Sequence, residues 1–403
     1  MLRRYRALAP ADQKALIDFL EQLSGRAWRA RRRKLAAMMS RRDLLLALAA
    51  PGAGDPLAER FERACGLVAA RAARGEVAAA VLHVSAGAEI HERSFGRALD
   101  PGAVFLLASL TKPMTAAGVM ALCQAGTLSL DAPVAAQLPA LLTSAASAQD
   151  RQARARLTLR HLLSHTSGLP DMPPANLELR RRHARLDDFL ADALTVPLAF
   201  APGTQVRYQS MGYLLAAEIA QRRAGQPWRE HLRQVLFAPL EMTATSLGLG
   251  GRPLGRTMAC QVPEDEGGWN SAYWRELGAP WGGALGSARD VGRLLRFFAR
   301  PEPGGPLRPE TVRAMLTAQG PPGAARAPDV HDRFGLGFRL GPGSFAEGLS
   351  PRTFGHGGAT GVIAWSDPQV DLTCVLLTTR PAADNPLLAP VCGCVAGTPA
   401  RAP

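Results

Sequence analysis

Ser109-Leu110-Thr111-Lys112 sets a hydroxyl three residues ahead of an amine at the mouth of an apolar segment. On a helix, residues i and i+3 share a face, so the Lys112 amine can reach the Ser109 hydroxyl and take its proton, which is nucleophilic catalysis in outline. Pro113 lacks an N–H and is tolerated only in a first helical turn, so Ser109 is expected at or just before the helix start. Free backbone N–H groups and the positive end of the helix dipole favour a developing oxyanion there. Only three lysines, Lys14, Lys34 and Lys112, stand against 44 arginines. Arginine stays protonated, whereas a desolvated lysine near other cations can lose its proton, so the residue type suits a base. In a chain with 17 serines, a chance Ser-x-x-Lys is the competing reading.

Two further stretches could complete such a site. Tyr208 closes the segment Pro202-Gly-Thr-Gln-Val-Arg-Tyr-Gln-Ser210 just before an apolar helix, where a phenol beside cations can relay protons. Ser210 stands at the N-cap position ahead of Leu214, Leu215 and Ile219, with Gly225 as the stop. His356 lies among glycines in Phe354-Gly-His-Gly-Gly-Ala-Thr-Gly361, between two strand signals. Glycines there let a backbone or a ligand approach a strand edge closely, at a cost in strand stability. A buried tyrosine and a glycine-rich turn are the plainer alternatives.

The elements that must position these residues read as follows. Residues 59 to 74 form a helix, and Ala80 to Ser85 with Glu89 to Phe95 a hairpin around Gly87. A long apolar helix runs from Ser109 to Gln124 and is closed by Gly126. The polar segment Ser144 to Arg156 reads as an exposed loop. Helices follow at Leu157 to Ser164, Leu186 to Leu194, Met211 to Arg223 and Trp228 to Leu236. Strand signals return at Phe334 to Leu340, Arg352 to Gly355, Gly361 to Ser366 and Leu372 to Thr378. Strands at both ends around a helical middle imply a mixed α and β fold: one sheet built from the two ends of the chain, with a mainly helical lobe inserted.

With 403 residues, 47% of them hydrophobic and 20% charged, the chain can bury a large core in one big domain or two lobes. No run of eighteen apolar residues suggests a membrane-spanning helix. The net charge of +13 is spread over scattered arginines, and the densest block, Arg29 to Lys34, lies outside the part that reads as folded, so nucleic acid is not an expected partner. The six cysteines are too dispersed for a disulfide framework, and Cys392-Gly-Cys394 has no second Cys/His pair nearby for a metal. Residues 1 to 56 differ in character. Asp12 to Leu23 reads as a short amphipathic helix, and Ser40-Arg-Arg-Asp-Leu-Leu-Leu46 resembles a short twin-arginine export signal with Met38 or Met39 as the start. If used, it would send the protein to the periplasm or outside; otherwise this part is a helix and linker on a cytoplasmic protein. Residues 57 to 384 would form the catalytic domain. Residues 385 to 403, rich in proline and glycine, read as a tail in which no full helix forms.

Taken together, Ser109-x-x-Lys112, Tyr208-x-Ser210 and His356-Gly-Gly358 resemble, in order, the three motifs of the serine β-lactamase and penicillin-binding superfamily, in the branch of class C β-lactamases, D,D-carboxypeptidases and related esterases. The stretches His161-Leu-Leu-Ser-His-Thr-Ser-Gly168, Ala201-Pro-Gly-Thr204 and Gly282-Gly-Ala-Leu-Gly-Ser287 are similar to its scaffold, and the likeness spans roughly residues 60 to 380. The resemblance implies an antiparallel sheet flanked by helices and no cofactor or metal. Ser109 would be acylated, with Lys112 and Tyr208 sharing the proton transfers. The N–H groups of Ser109 and Ala359 would form the oxyanion hole. His161 and His165 would be structural. Ser210 falls where the family often has an asparagine for the substrate amide, and a shorter hydroxyl weakens amide recognition. His356 and Gly357 replace the lysine and hydroxyl that help lactamases hold the substrate carboxylate, so an anion would need another group, Arg207 or Arg352. The substrate is expected to be a small molecule or peptide, with ester hydrolysis favoured over D,D-peptidase or β-lactamase activity. A noncatalytic scaffold or binding protein with the same fold is the alternative from another class.

Overall fold

The computed structural model describes residues 55–263, 267–320, 325–326 and 333–397. The amphipathic and twin-arginine-like segments expected in residues 1 to 46 lie outside the described residues. The first element among the described residues, α1 (Leu57–Ala73), buries Phe61, Ala64, Cys65 and Val68 along one face. It leads into the hairpin β1 (Ala79–Ala86) and β2 (Glu89–Gly96), which turns at Gly87 with φ +61. A two-residue strand β3 (Phe105–Leu106) then passes through a single 3₁₀ turn, Ala108–Leu110, into α2 (Thr111–Gln124).

The inserted lobe is helical, as expected. It contains α3 (Ala140–Thr143), α4 (Ala148–Arg154), α5 (Leu159–Leu163), α6 (Asn176–Arg181) and α7 (Leu186–Leu194). After β4 (Gln205–Val206) come α8 (Met211–Ala224) and α9 (Trp228–Leu232), the latter continuing as a π-helical turn to Phe237. Two short strands, β5 (Ser246–Leu247) and β6 (Ala284–Gly286), flank α10 (Ala272–Leu277) and join β3 in a small sheet of order β3-β6-β5. Helices α11 (Ala288–Ala299) and α12 (Pro309–Met315) follow, then β7 (Ala325–Arg326), which pairs with β4.

The chain then completes the main sheet with β8 (Arg333–Phe334), β9 (Arg339–Leu340), β10 (Phe354–Gly358), β11 (Val362–Asp367) and β12 (Leu372–Thr378). Its order is β2-β1-β12-β11-β10-β9-β8, so strands from both ends of the chain meet at the antiparallel β1–β12 pair, with Ala80 opposite Thr378. Alternation along the strands divides two cores. Val81, Val362, Ala364, Val375 and Leu377 join the core that includes α2, α8 and α11. Leu82, Val84, Trp365, Cys374 and Leu376 face α1 and the last helix, α13 (Leu388–Ala396). Both faces are covered, which is why β1 and β12 read as continuous apolar runs.

Three expectations are corrected. Ser144 to Arg156 is largely exposed, as expected, but it is a helix and not a loop: Ser147 caps α4 by accepting from the Asp150 N–H at 3.1 Å, and Arg154 is fully buried. Its guanidinium lies 2.8 Å from Asp150 and donates to the carbonyls of Leu141, Leu194 and Val196, so an arginine pins the segment inward. The tail does form a helix. Pro390 sits in the first turn of α13, where its missing N–H breaks no bond, and Gly397 ends the helix with φ +84. Arg60 on α1 donates to the Val395 carbonyl at 2.7 Å, and Trp365 Nε1 points at Cys392 Sγ at 3.2 Å, so α13 covers the sheet face. Phe334 to Leu340 is a tight hairpin of β8 and β9 rather than one strand.

Candidate active site

Helix α2 is buried on nearly every side from Thr111 to Met120, which fixes Lys112 in the interior beneath the turn that carries Ser109. Ala108, immediately before the serine, takes φ +45, a left-handed conformation that costs a non-glycine residue about 1–3 kcal/mol. The strain is held by its neighbours. Thr111 Oγ1 donates to the Ala108 carbonyl at 2.6 Å and accepts the Ala284 N–H at 3.0 Å, and the Leu107 N–H reaches Ala284 O at 2.8 Å. Strand, turn and helix together present Ser109, half-buried, at the start of the helix.

Lys112 Nζ stands 3.1 Å from Ser109 Oγ, 3.1 Å from Ser210 Oγ and 3.0 Å from the Trp281 carbonyl. Tyr208 Oη is 3.0 Å from Ser109 Oγ, and the lysine nitrogen lies 4.9 Å from the centre of the Tyr208 ring. A hydroxyl, an amine and a phenol from two distant stretches of chain therefore meet within proton-transfer distance. The corner carrying Tyr208 is built by His165, whose ring stacks on the tyrosine at 4.5 Å and whose Nδ1 accepts the Gln209 N–H at 3.1 Å. Burial, then the charges of Lys112 and Arg339, push His165 well below its ordinary range, so the imidazole is neutral. His161 is part of the reciprocal cap of α5 with Thr158.

Ser210 is not the side-chain cap of α8. Its hydroxyl donates to Asp171 Oδ1 at 2.7 Å while accepting from Lys112, and the capping of the Gly212 N–H falls to the Gln209 side chain. Asp171 was not singled out by the sequence. Nothing local marks it; the two residues are tied by fold, with the Ser210 N–H also donating to the Asp171 carbonyl at 3.2 Å.

The third motif lies on β10. Its pairing with β9 covers only Phe354 and Gly355, so among the described residues His356 to Gly358 have an unpaired edge. A Cβ on Gly358 would stand 2.7 Å from the Leu107 carbonyl and 3.0 Å from Ala108 Cβ, so this glycine lets the strand press against the Ser109 turn. A Cβ on Gly357 would instead make only an ordinary contact, with the Val362 carbonyl at 3.6 Å. Ala359 is exposed just past the strand. His356 is buried, 6.1 Å from Tyr208 between ring centres, with Nδ1 2.6 Å from the Gly357 carbonyl. That oxygen can only accept, so Nδ1 carries the proton. Burial, then Arg339 and Lys112, hold His356 well below the usual histidine range, and it is neutral.

Neither cation expected to serve a substrate anion makes a described contact with Ser109, Lys112 or Tyr208. Arg207 and Arg352 are exposed, and Arg352 lines a separate cavity of about 320 Å³ with Arg333 and Thr353. Arg339 on β9, opposite Gly355, is the arginine beside the site, its guanidinium carbon 6.0 Å from the Tyr208 ring centre. It was missed because only the register of β9 against β10 brings it there.

The β-lactamase family model matches residues 66–390. The chain belongs to the beta-lactamase family. It is 32% identical over 194 residues to esterase EstB of Burkholderia gladioli, covering 45% of this chain and 47% of the esterase. Penicillin-binding protein 4 of Amycolatopsis lactamdurans is 32% identical over 223 residues, covering 54% and 56%. The chain thus spans about half the length of the curated relatives it matches. Among solved structures, EstCE1, a hydrolase with promiscuous acyltransferase activity, superposes with a TM-score of 0.68 at 20% identity, over 85% of this chain and 98% of that one. The fold is that of β-lactamase-type hydrolases, as its antiparallel sheet and helical insertion had implied. Among the described residues there is no cluster of metal-ligating side chains, and no helix long and apolar enough to cross a membrane.

Proposed function

We propose that this chain is a serine hydrolase that works through an acyl-enzyme and acts fastest on carboxylic esters. The observation that carries the reading is Ser109 Oγ held between Lys112 Nζ at 3.1 Å and Tyr208 Oη at 3.0 Å. Ser109 Oγ attacks the carbonyl carbon as its proton passes to the Tyr208–Lys112 pair, and that proton then leaves with the alcohol. Water next attacks the acyl-serine, losing a proton to the same pair, and the proton returns to Ser109 as the acid departs. The backbone N–H groups of Ser109 and Ala359 are the proposed oxyanion donors, and the open edge of His356 to Gly358 receives the acyl group.

The preference for esters rests on Ser210 and His356. With its single proton given to Asp171, the Ser210 hydroxyl can accept from a substrate N–H but has nothing to donate to an amide carbonyl. His356 is neutral and Gly357 brings no hydroxyl, so neither holds a carboxylate. A second reading, D,D-peptidase or β-lactamase, draws on Arg339, the cation nearest the Tyr208 ring on the β10 side. Turnover of p-nitrophenyl acetate, a D-alanyl-D-alanine peptide and a chromogenic cephalosporin separates the two. Esters should be hydrolysed fastest, a fluorophosphonate should label Ser109, and Ser109→Ala should abolish both. Ester turnover that survives this change contradicts the proposal; an unlabelled, inactive and folded wild type favours a noncatalytic scaffold.

A further inference from the structure

We propose that Asp171 is a positioning residue of this site: acting through the Ser210 hydroxyl, it orients Lys112 and balances its charge. The inference rests on the hydrolase reading above. A lysine ammonium carries three donors, and three oxygens face Lys112, those of Ser109, Ser210 and the Trp281 carbonyl. The carbonyl is fixed backbone, but a serine hydroxyl can turn either its proton or its lone pairs towards an amine. Asp171 decides which. Its carboxylate only accepts, and at 2.7 Å it takes the Ser210 proton, leaving a lone pair for Lys112 at 3.1 Å. Lys112 is thereby held from one side by Ser210 and from another by Trp281, aimed at Ser109.

The charge argument points the same way. The titratable groups facing Lys112 are Tyr208 and Tyr213, whose rings lie 4.9 and 5.5 Å away, His165 and His356, Arg339 and Asp171. Burial keeps both histidines neutral and pushes Tyr213 well above the usual phenol range. Arg339 adds positive charge. Among the described residues, Asp171 is the carboxylate joined to Lys112 by a hydrogen-bond path, about 6 Å long over its two steps. Because the carboxylate is exposed, water screens its field, and neutralising it should move the pH–rate profile by about half a unit to one unit. Removing an anion disfavours the nearby positive charge, so the movement is to lower pH.

The experiment compares wild type, Asp171→Asn, Asp171→Glu, Ser210→Ala and the Asn/Ala double variant on p-nitrophenyl acetate from pH 5 to 9, with thermal melts. Asp171→Asn keeps an acceptor oxygen and removes the charge; kcat should fall about tenfold with KM little changed, and the profile should shift to lower pH. Asp171→Glu should recover most of the rate and the original profile. On the Ser210→Ala background, Asp171→Asn should add less than about twofold, because the connecting hydroxyl is gone. An Asp171→Asn enzyme with an unmoved profile, whether or not its melting temperature drops, overturns the proposal, as does an equal loss on both backgrounds. A wild type that neither turns over the ester nor takes a phosphonate on Ser109 overturns the hydrolase reading itself, and this inference with it.

Discussion

Gly358 and Gly357 are adjacent on one strand, yet a single methyl group should have opposite consequences at the two. At 358 a Cβ would meet Val362 Cγ2 at 2.6 Å, the Leu107 carbonyl at 2.7 Å and Ala108 Cβ at 3.0 Å. The valine methyl can turn aside. Leu107 and Ala108 cannot, because their backbone is clamped by Ala284 and Thr111. Restoring ordinary van der Waals separation therefore forces β10 and the Ser109 turn apart by about half an ångström or more. Overpacking of this kind costs about 1–3 kcal/mol of stability. Misplacing reacting groups by about 1 Å can cost a hundredfold in rate, so about half that displacement should lower kcat/KM roughly tenfold. At 357 the nearest atom is 3.6 Å from the added methyl, so the protein should keep its melting temperature, and any change in rate there reports on the edge proposed to receive the acyl group. Purified Gly358→Ala and Gly357→Ala proteins, assayed on p-nitrophenyl acetate with parallel thermal melts, make the comparison. A fully active Gly358→Ala enzyme, or an equal loss of stability at both positions, would refute the close approach of strand and nucleophile turn.

Acidification should destabilise the fold through its buried histidines. His165 and His356 bind no proton in the folded state near neutrality, whereas each does so when unfolded, with a pKa of about 6.5. The unfolded state therefore holds more protons below that pH, and stability should fall by about 2 kcal/mol for the pair between pH 6.5 and 5.5, read from urea melts. Glu92, held down to about 2 by hydrogen bonds from His83 and Arg289 against the cost of its burial, should contribute no loss across that interval. Arg154→Ala should cost about 3–5 kcal/mol, because it strands Asp150 and three carbonyls, and a melt no lower than wild type would contradict the buried ion pair. Truncation after Leu387 should bare Trp365, Cys374 and Leu376, raising binding of a hydrophobic dye and lowering the melting temperature by several degrees.

What could be read in advance divides along a physical line. The Ser109–Lys112 relation is local: a separation of three across a 3₁₀ turn running into a helix brings the amine to the hydroxyl's side, and the surrounding clamps then hold it there. Tyr208 and His356 were legible because a corner and a glycine-rich strand leave compositional marks. The polar composition of Ser144 to Arg156 reads as a loop, and only a buried partner reveals that Arg154 points inward. Pro390 was read as a helix breaker because its place within the turn depends on where the helix starts, which the packing of α13 on α1 and β12 decides.

Arg339 and Asp171 lie beyond that line altogether. One reaches the site through the register of β9 on β10, the other through a hydrogen bond across 39 residues of chain. Both are charged, and neither bonds directly to Ser109 among the contacts described. Their influence is exerted through field and through intermediaries: Arg339 helps keep the two buried histidines neutral, and Asp171 sets the direction of the Ser210 proton. The pairing of Ser109 with Lys112 is thus local to one turn of chain, while Tyr208 and the electrostatic setting in which the proposed nucleophile works are supplied by the tertiary fold. Substitutions at Ser109, Lys112 or Tyr208 should accordingly abolish turnover, and substitutions at Arg339 or Asp171 should move its pH dependence or its choice of substrate.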